Sequence, residues 1–108
     1  MSITKKELIE VNKQFGGNLV RSGSLDYGIS RYNHSTNKFN AIAYIIRAIV
    51  IDHPFSDGNK RTAIYVCNDE FGDPGETKLS KLMVKIAREN ITDIPKIEKM
   101  LRRCYQKN

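Results

Sequence analysis

The eleven residues "AIAYIIRAIVI", Ala41–Ile51, limit the possible folds of this chain more than any other stretch. Phe39, Ile42, Ile45, Ile46 and Ile49 recur at helical spacing, and alanine or isoleucine occupies nearly every other face. A helix that is apolar all round must be enclosed by other elements. The run is too short to span a bilayer, and Arg47 interrupts it. It therefore predicts the buried central helix of a bundle, with Thr36 placed to cap its start.

The remaining pattern supplies the helices that would enclose it. Thr4-Lys5-Lys6-Glu7 has capping-box form with Ile3 and Leu8 as a staple, predicting a helix from Ser2 or Ile3 to Phe15, ended by Gly16-Gly17. Residues 18–34, "NLVRSGSLDYGISRYNH", are rich in Gly, Ser and Asn and show no helical period, so an exposed loop or short hairpin is expected. "RTAIYVCNDEF" lies on a third helix, broken by "GDPGET". A fourth carries the stripe Leu79, Leu82, Met83 and Ile86. Asp93 caps the last helix and Pro95 sits in its first turn, with Ile97, Met100, Leu101 and Cys104 facing inward. The expectation is all-α: one compact helical bundle over residues 1–108, with a flap or hairpin before the central helix.

Composition narrows the partners. At 108 residues, 40% hydrophobic and 28% charged, the chain is an ordinary globular one. A net charge of +6 attracts phosphate or acidic protein. However, the positive residues are dispersed, and Lys96, Lys99, Arg102, Arg103 and Lys107 share the last segment with Glu98, as on a solvated helix face. Neither zinc-finger spacing nor an RNA-recognition signature occurs, so nucleic acid is not the expected partner. No apolar segment follows Met1, and Cys67 and Cys104 read as free thiols; a cytoplasmic protein without a membrane anchor is expected.

Against this background one stretch is anomalous. "DHPFSDGNKRTAIYV", Asp52–Val66, crowds polar groups against an apolar run. An inter-helix loop could carry His53 and Asp57 as solvated decoration; a hairpin is excluded by the helical period of both flanks. The functional alternative is a phosphate site. Gly58 lets the backbone approach a ligand, and the helix opening at Asn59 offers free N–H groups and a positive dipole end. Lys60 and Arg61 are unfavourable at such an end unless an anion is present. Asp57 is placed to hold Mg²⁺ on phosphate oxygens and His53 to accept a proton, while Phe55 anchors the loop. The stretch is not a P-loop, since it lacks the first glycine and a preceding strand.

"HPFSDGNKR" resembles the signature of the Fic/Doc (Fido) family, His-x-Phe-x-(Asp/Glu)-Gly-Asn-(Gly/Lys)-Arg. The layout and length resemble the short Doc toxins. The resemblance implies a transferase using ATP and Mg²⁺ to modify a Ser, Thr or Tyr hydroxyl of a target protein. It implies His53 as general base, Asp57 as metal ligand, Gly58 and Asn59 as an anion hole, and Arg61, with Lys60 beside it, on nucleotide phosphates. A flap within Arg21–Tyr32 would pin the target as an added strand.

Adenylylating members continue Gly-Arg-x-x-Arg, whereas this chain has Lys60 for the glycine and Ile64 for the second arginine. Both changes resemble Doc and favour phosphoryl transfer over AMP transfer; Gly58, where Doc-type motifs commonly have alanine, points the other way. A non-catalytic binding module is the reading of a different class. "KIAREN" ends like a family self-inhibitory motif but has Lys85 at the hydroxyl position, so it reads as a helix end. A Doc-like chain without an internal inhibitor would need a separate antitoxin. His34 reads as a loop residue, Asp69-Glu70 as solvated charge, and Tyr27 and Tyr32 as either contact or packing residues.

Overall fold

The computed structural model describes residues 3–106, which form six α-helices. These are α1 (Lys5–Lys13), α2 (Gly23–His34), α3 (Lys38–Ile46), α4 (Asn59–Phe71), α5 (Lys78–Glu89) and α6 (Ile94–Cys104). A π-helical segment, Arg47–Ile51, continues α3. The fold is an all-α bundle, and no strand occurs among the described residues beyond an isolated bridge between Leu19 and Phe55.

α3 is the central helix. Ile42, Ile45, Ile46, Ile49 and Val50 are at most 1% exposed, because α2, α4 and α6 pack around α3 and α5 joins them at the π segment. Its cap is Asn37 rather than Thr36, with the Asn37 carboxamide accepting the Asn40 N–H at 3.1 Å. Thr4 caps α1 through the Glu7 N–H at 3.1 Å, and α1 ends at Lys13, two residues before the expected Phe15. The expected start at Ser2 lies outside the described residues. Asp93 caps α6 through the Lys96 N–H at 3.1 Å, with Pro95 in the first turn. Asn90, left-handed at φ 50°, closes α5, so "KIAREN" is a helix end in this fold.

Residues 18–34 differ most from expectation. The loop or hairpin reading is wrong for Gly23–His34, which is helical. The apolar period was present but interrupted: Leu25, Gly28 and Tyr32 are the buried positions, and Gly28 occupies the core-facing place where a large side chain would have revealed it. A Cβ at Gly28 would stand 2.8 Å from the Ala48 Cβ and 3.1 Å from the Tyr44 carbonyl. Here close backbone packing outweighs glycine's poor helix propensity, a tertiary effect invisible to a local reading. Tyr32 is therefore a packing residue, whereas Tyr27 stays 52% exposed, edge-on to Tyr44 and beneath Arg47. His34 is the last residue of α2, and its Nδ1 lies 2.7 Å from the Ser30 carbonyl.

Asp69 is exposed as expected, but Glu70 is not solvated charge. Its side chain is 7% exposed and ion-pairs with Lys38 at 3.3 Å, because α4 turns it toward the start of α3. Burial, and then the Glu70 carboxylate, raise the pKa of Tyr32. Both cysteines are free; Cys67 is buried, which pushes its thiol up to about 12, and Cys104 is half-buried.

Candidate functional site

The π segment delivers the chain into the loop 52–58, and α4 begins at Asn59. The extra residue per turn of a π segment re-aims the chain beyond it. Pro54 and Phe55 are buried, with Phe55 2% exposed, and they fasten the loop to the core. On either side of them His53, Ser56 and Asp57 stand exposed. His53 takes a left-handed backbone, φ 48°, a conformation that persists only where its surroundings impose it.

Those surroundings are residues 18–21, ahead of the flap expected within Arg21–Tyr32, most of which is instead helix α2. The Val20 and Arg21 N–H groups both donate to the Pro54 carbonyl, at 2.8 and 3.1 Å, and the Ser56 N–H donates to the Asn18 carbonyl at 2.8 Å. Arg21 Nη2 donates to the His53 carbonyl at 3.3 Å. Residues 18–21 are thus a short extended edge lashed to the loop. Leu19 and Phe55 are the facing pair between these bonds, so their own N–H and C=O groups point away from each other. The outward groups of Phe55 meet the Asn59 side chain, whose Oδ1 accepts the Phe55 N–H (3.1 Å) and whose Nδ2 donates to the Phe55 carbonyl (2.9 Å). Those of Leu19 have no partner among the described residues.

The start of α4 is open. Gly58 is the cap residue, left-handed at φ 71° and without a side chain to bond the first turn. The amides of Asn59, Lys60 and Arg61 consequently have no acceptor among the described residues, as at any uncapped helix start. The Gly58 N–H donates to Asp57 Oδ1 at 2.8 Å, which turns that carboxylate over the helix start. A cavity of about 390 Å³ is lined by His53, Ser56, Asp57, Gly58, Asn59, Lys60 and Arg61, with Phe15 of the segment after α1. It lies within the size range of small-ligand sites. His53 also borders a second cavity, with Arg21, Ser22 and Asp52.

The structure thus brings together all six residues singled out in the sequence: His53, Asp57, Gly58, Asn59, Lys60 and Arg61. They do not contribute alike. The Asn59 carboxamide is committed to Phe55, so what it can offer a ligand is its main-chain N–H. Lys60 and Arg61 form no ion pair among the described residues, so their charge adds to the positive end of the helix. Sequence reasoning missed Asn12, Thr62 and Gly17. Asn12 lies one turn beyond Leu8 on the core-facing side of α1, and a polar residue at that position was the available signal.

Fold and site together define a class: a helical bundle whose polar machinery sits on one loop and the helix start that the loop feeds. The Fic/DOC family model matches residues 3–69, more than half of the chain, and the chain belongs to that family, whose members are in general Fido-type transferases. Searches of curated proteins and of solved structures find no match to it. The matched segment begins ahead of α1 and ends within α4, so it contains the whole loop and the start of α4.

Proposed function

We propose that this chain transfers the γ-phosphoryl group of ATP to a Ser, Thr or Tyr hydroxyl of a target protein, in the manner of Doc. The observation that carries the proposal is the single cavity shared by the His53 imidazole, the Asp57 carboxylate and the open amides of α4. A triphosphate anion seats at those amides, and Lys60 and Arg61 hold its charge. His53 takes the proton of the incoming hydroxyl. The hydroxyl oxygen forms a bond to the γ-phosphorus as the bond from that phosphorus to the bridging oxygen breaks, and ADP leaves. The target is held as an added strand on the free edge of Leu19, beside His53, with exposed Val20 next to it.

Mg²⁺ suits the donors present. Among the described residues, one Asp57 carboxylate oxygen has no protein partner, and no cluster of three or more His, Cys, Asp or Glu would bind a metal alone. Asp57 would hold the ion with phosphate oxygens and water completing its shell; when bound it supplies neutralisation of phosphate charge. The toxin role, with a separately encoded antitoxin, is part of the same proposal, and no helix among the described residues is long and apolar enough to cross a membrane.

AMP transfer is the second reading, and Gly58 favours it, since Doc-type motifs commonly carry alanine there. Incubation with target extract and ATP labelled at the α or the γ phosphorus decides between the two. Label retained from γ alone supports phosphoryl transfer; label retained from α overturns it. Lys60→Gly frees space beside the phosphates and is expected to raise the share of α-label transferred; an unchanged product ratio assigns nucleotide direction to another residue. If neither label is transferred by the folded chain, the binding-module reading replaces both; transfer by His53→Ala as fast as by the unaltered chain removes His53 as the base.

A further inference from the structure

We propose that Asn12 is the positioning residue of this site, holding Asp57 and the start of α4 in register from one turn of α1. The inference rests on the transferase reading for its purpose but not for its geometry. Asn12 is fully buried, at 0% exposure, on a helix whose other buried residue is Leu8. A carboxamide there is costly, and its Oδ1 has no hydrogen-bond partner among the described residues. Something must offset that cost. Nδ2 donates to the Asp57 carbonyl at 2.8 Å and to Thr62 Oγ1 at 3.1 Å. Thr62 Oγ1 in turn donates to the Gly58 carbonyl at 2.8 Å. One side chain thus holds the Asp57 carbonyl directly and, through Thr62, is tied to the Gly58 carbonyl, which also accepts the Thr62 N–H at 2.9 Å as the first bond of α4.

Peptide geometry sets the consequence. In a trans peptide the C=O and the next N–H point in opposite directions. Holding the Asp57 carbonyl toward Asn12 turns the Gly58 N–H away from α1, and the Gly58 carbonyl, aligned along α4 by Thr62, leaves the Asn59 N–H at the open end of the helix. The Gly58 N–H orients the Asp57 carboxylate at 2.8 Å, and the Asn59 N–H is left open. The packing leaves no slack to absorb a shift. A Cβ on Gly17 would lie 2.3 Å from both Asn12 Oδ1 and the Asp57 carbonyl, and one on Gly58 2.8 Å from the Phe15 Cβ.

The test compares the full chain with Asn12→Leu, which keeps the branched four-atom shape with bulkier methyl groups and removes the donor, and with Thr62→Val as a second variant should the first fail to fold. Ile97→Val, in the core on α6, serves as a control for general destabilisation. Amide hydrogen exchange at Gly58 and Thr62, and affinity for Mn²⁺·ATP by the free-manganese resonance signal, are measured where all chains are folded. The expected result is exchange at both amides about tenfold faster or more and affinity about tenfold weaker, as loss of one buried hydrogen bond allows, with neither change in the control. Exchange matching the control overturns the proposal, as does faster exchange with unaltered affinity. If the unaltered chain itself fails to bind Mn²⁺·ATP, the transferase reading falls, and the exchange arm still decides whether Asn12 sets the loop.

Discussion

The starts of α4 and α6 are built to opposite rules. At α6 the Asp93 carboxylate accepts the Lys96 N–H, Pro95 presets the first turn, and Ile94 and Ile97 bury beneath it. That helix closes its own end and needs nothing else. At α4 the cap position is Gly58, no side chain bonds the first turn, and Lys60 and Arg61 add positive charge to an end already positive. α2 and α5 also begin without a side-chain cap, so the missing cap alone does not mark α4. What marks it is the company: cations in its first turn, with Asp57 and His53 across the same cavity. Local stability is forgone there and restored from outside, through buried Phe55, the Asn59 clamp and the Asn12 carboxamide. One helix start serves the fold, and the other is held ready for an anion.

Substitutions at the two ends should separate along that line. The largest effect is expected of His53→Ala. Its imidazole is exposed and makes no hydrogen bond among the described residues, so transfer should fall about 100-fold or more while the thermal midpoint moves little. Labelled-ATP transfer and a melting curve check both halves; a collapse of the melt with activity would make His53 structural. Gly58→Ala comes next. It places a side chain at φ 71° against the Phe15 Cβ and should cost about 1–2 kcal/mol of stability in denaturant unfolding, whereas nucleotide affinity of the folded chain should change little, since Doc-type motifs commonly carry alanine there. An unaltered unfolding midpoint for Gly58→Ala would show that the left-handed cap at that position carries no strain. The smallest effect is expected of Asp93→Ala. Losing that cap should cost about 1 kcal/mol in denaturant unfolding and leave transfer per folded molecule unchanged. A loss of transfer there would erase the distinction between the two ends.

Much of this was legible because it is local. The period of Phe39 to Ile49 announced the central helix, Thr4 and Asp93 announced their caps, and the six residues of the loop and helix start stand within nine positions of one another. α2 was not legible, because the residue that completes its apolar stripe is Gly28, chosen by how closely Ala48 and Tyr44 approach it. Glu70 was misjudged for a related reason: its neighbour Lys38 lies on another helix.

By itself, then, the order of residues determined an all-α chain with one polar loop feeding a helix start, since helical period, caps and turn chemistry act over a few positions. Tertiary structure alone decided how that loop is held. Asn12, Asn18 and Arg21 reach it across 45, 38 and 32 residues, through hydrogen bonds that exist only once the bundle has closed. Such contacts leave no periodic trace, because a single buried donor needs only one partner in space and no pattern along the chain.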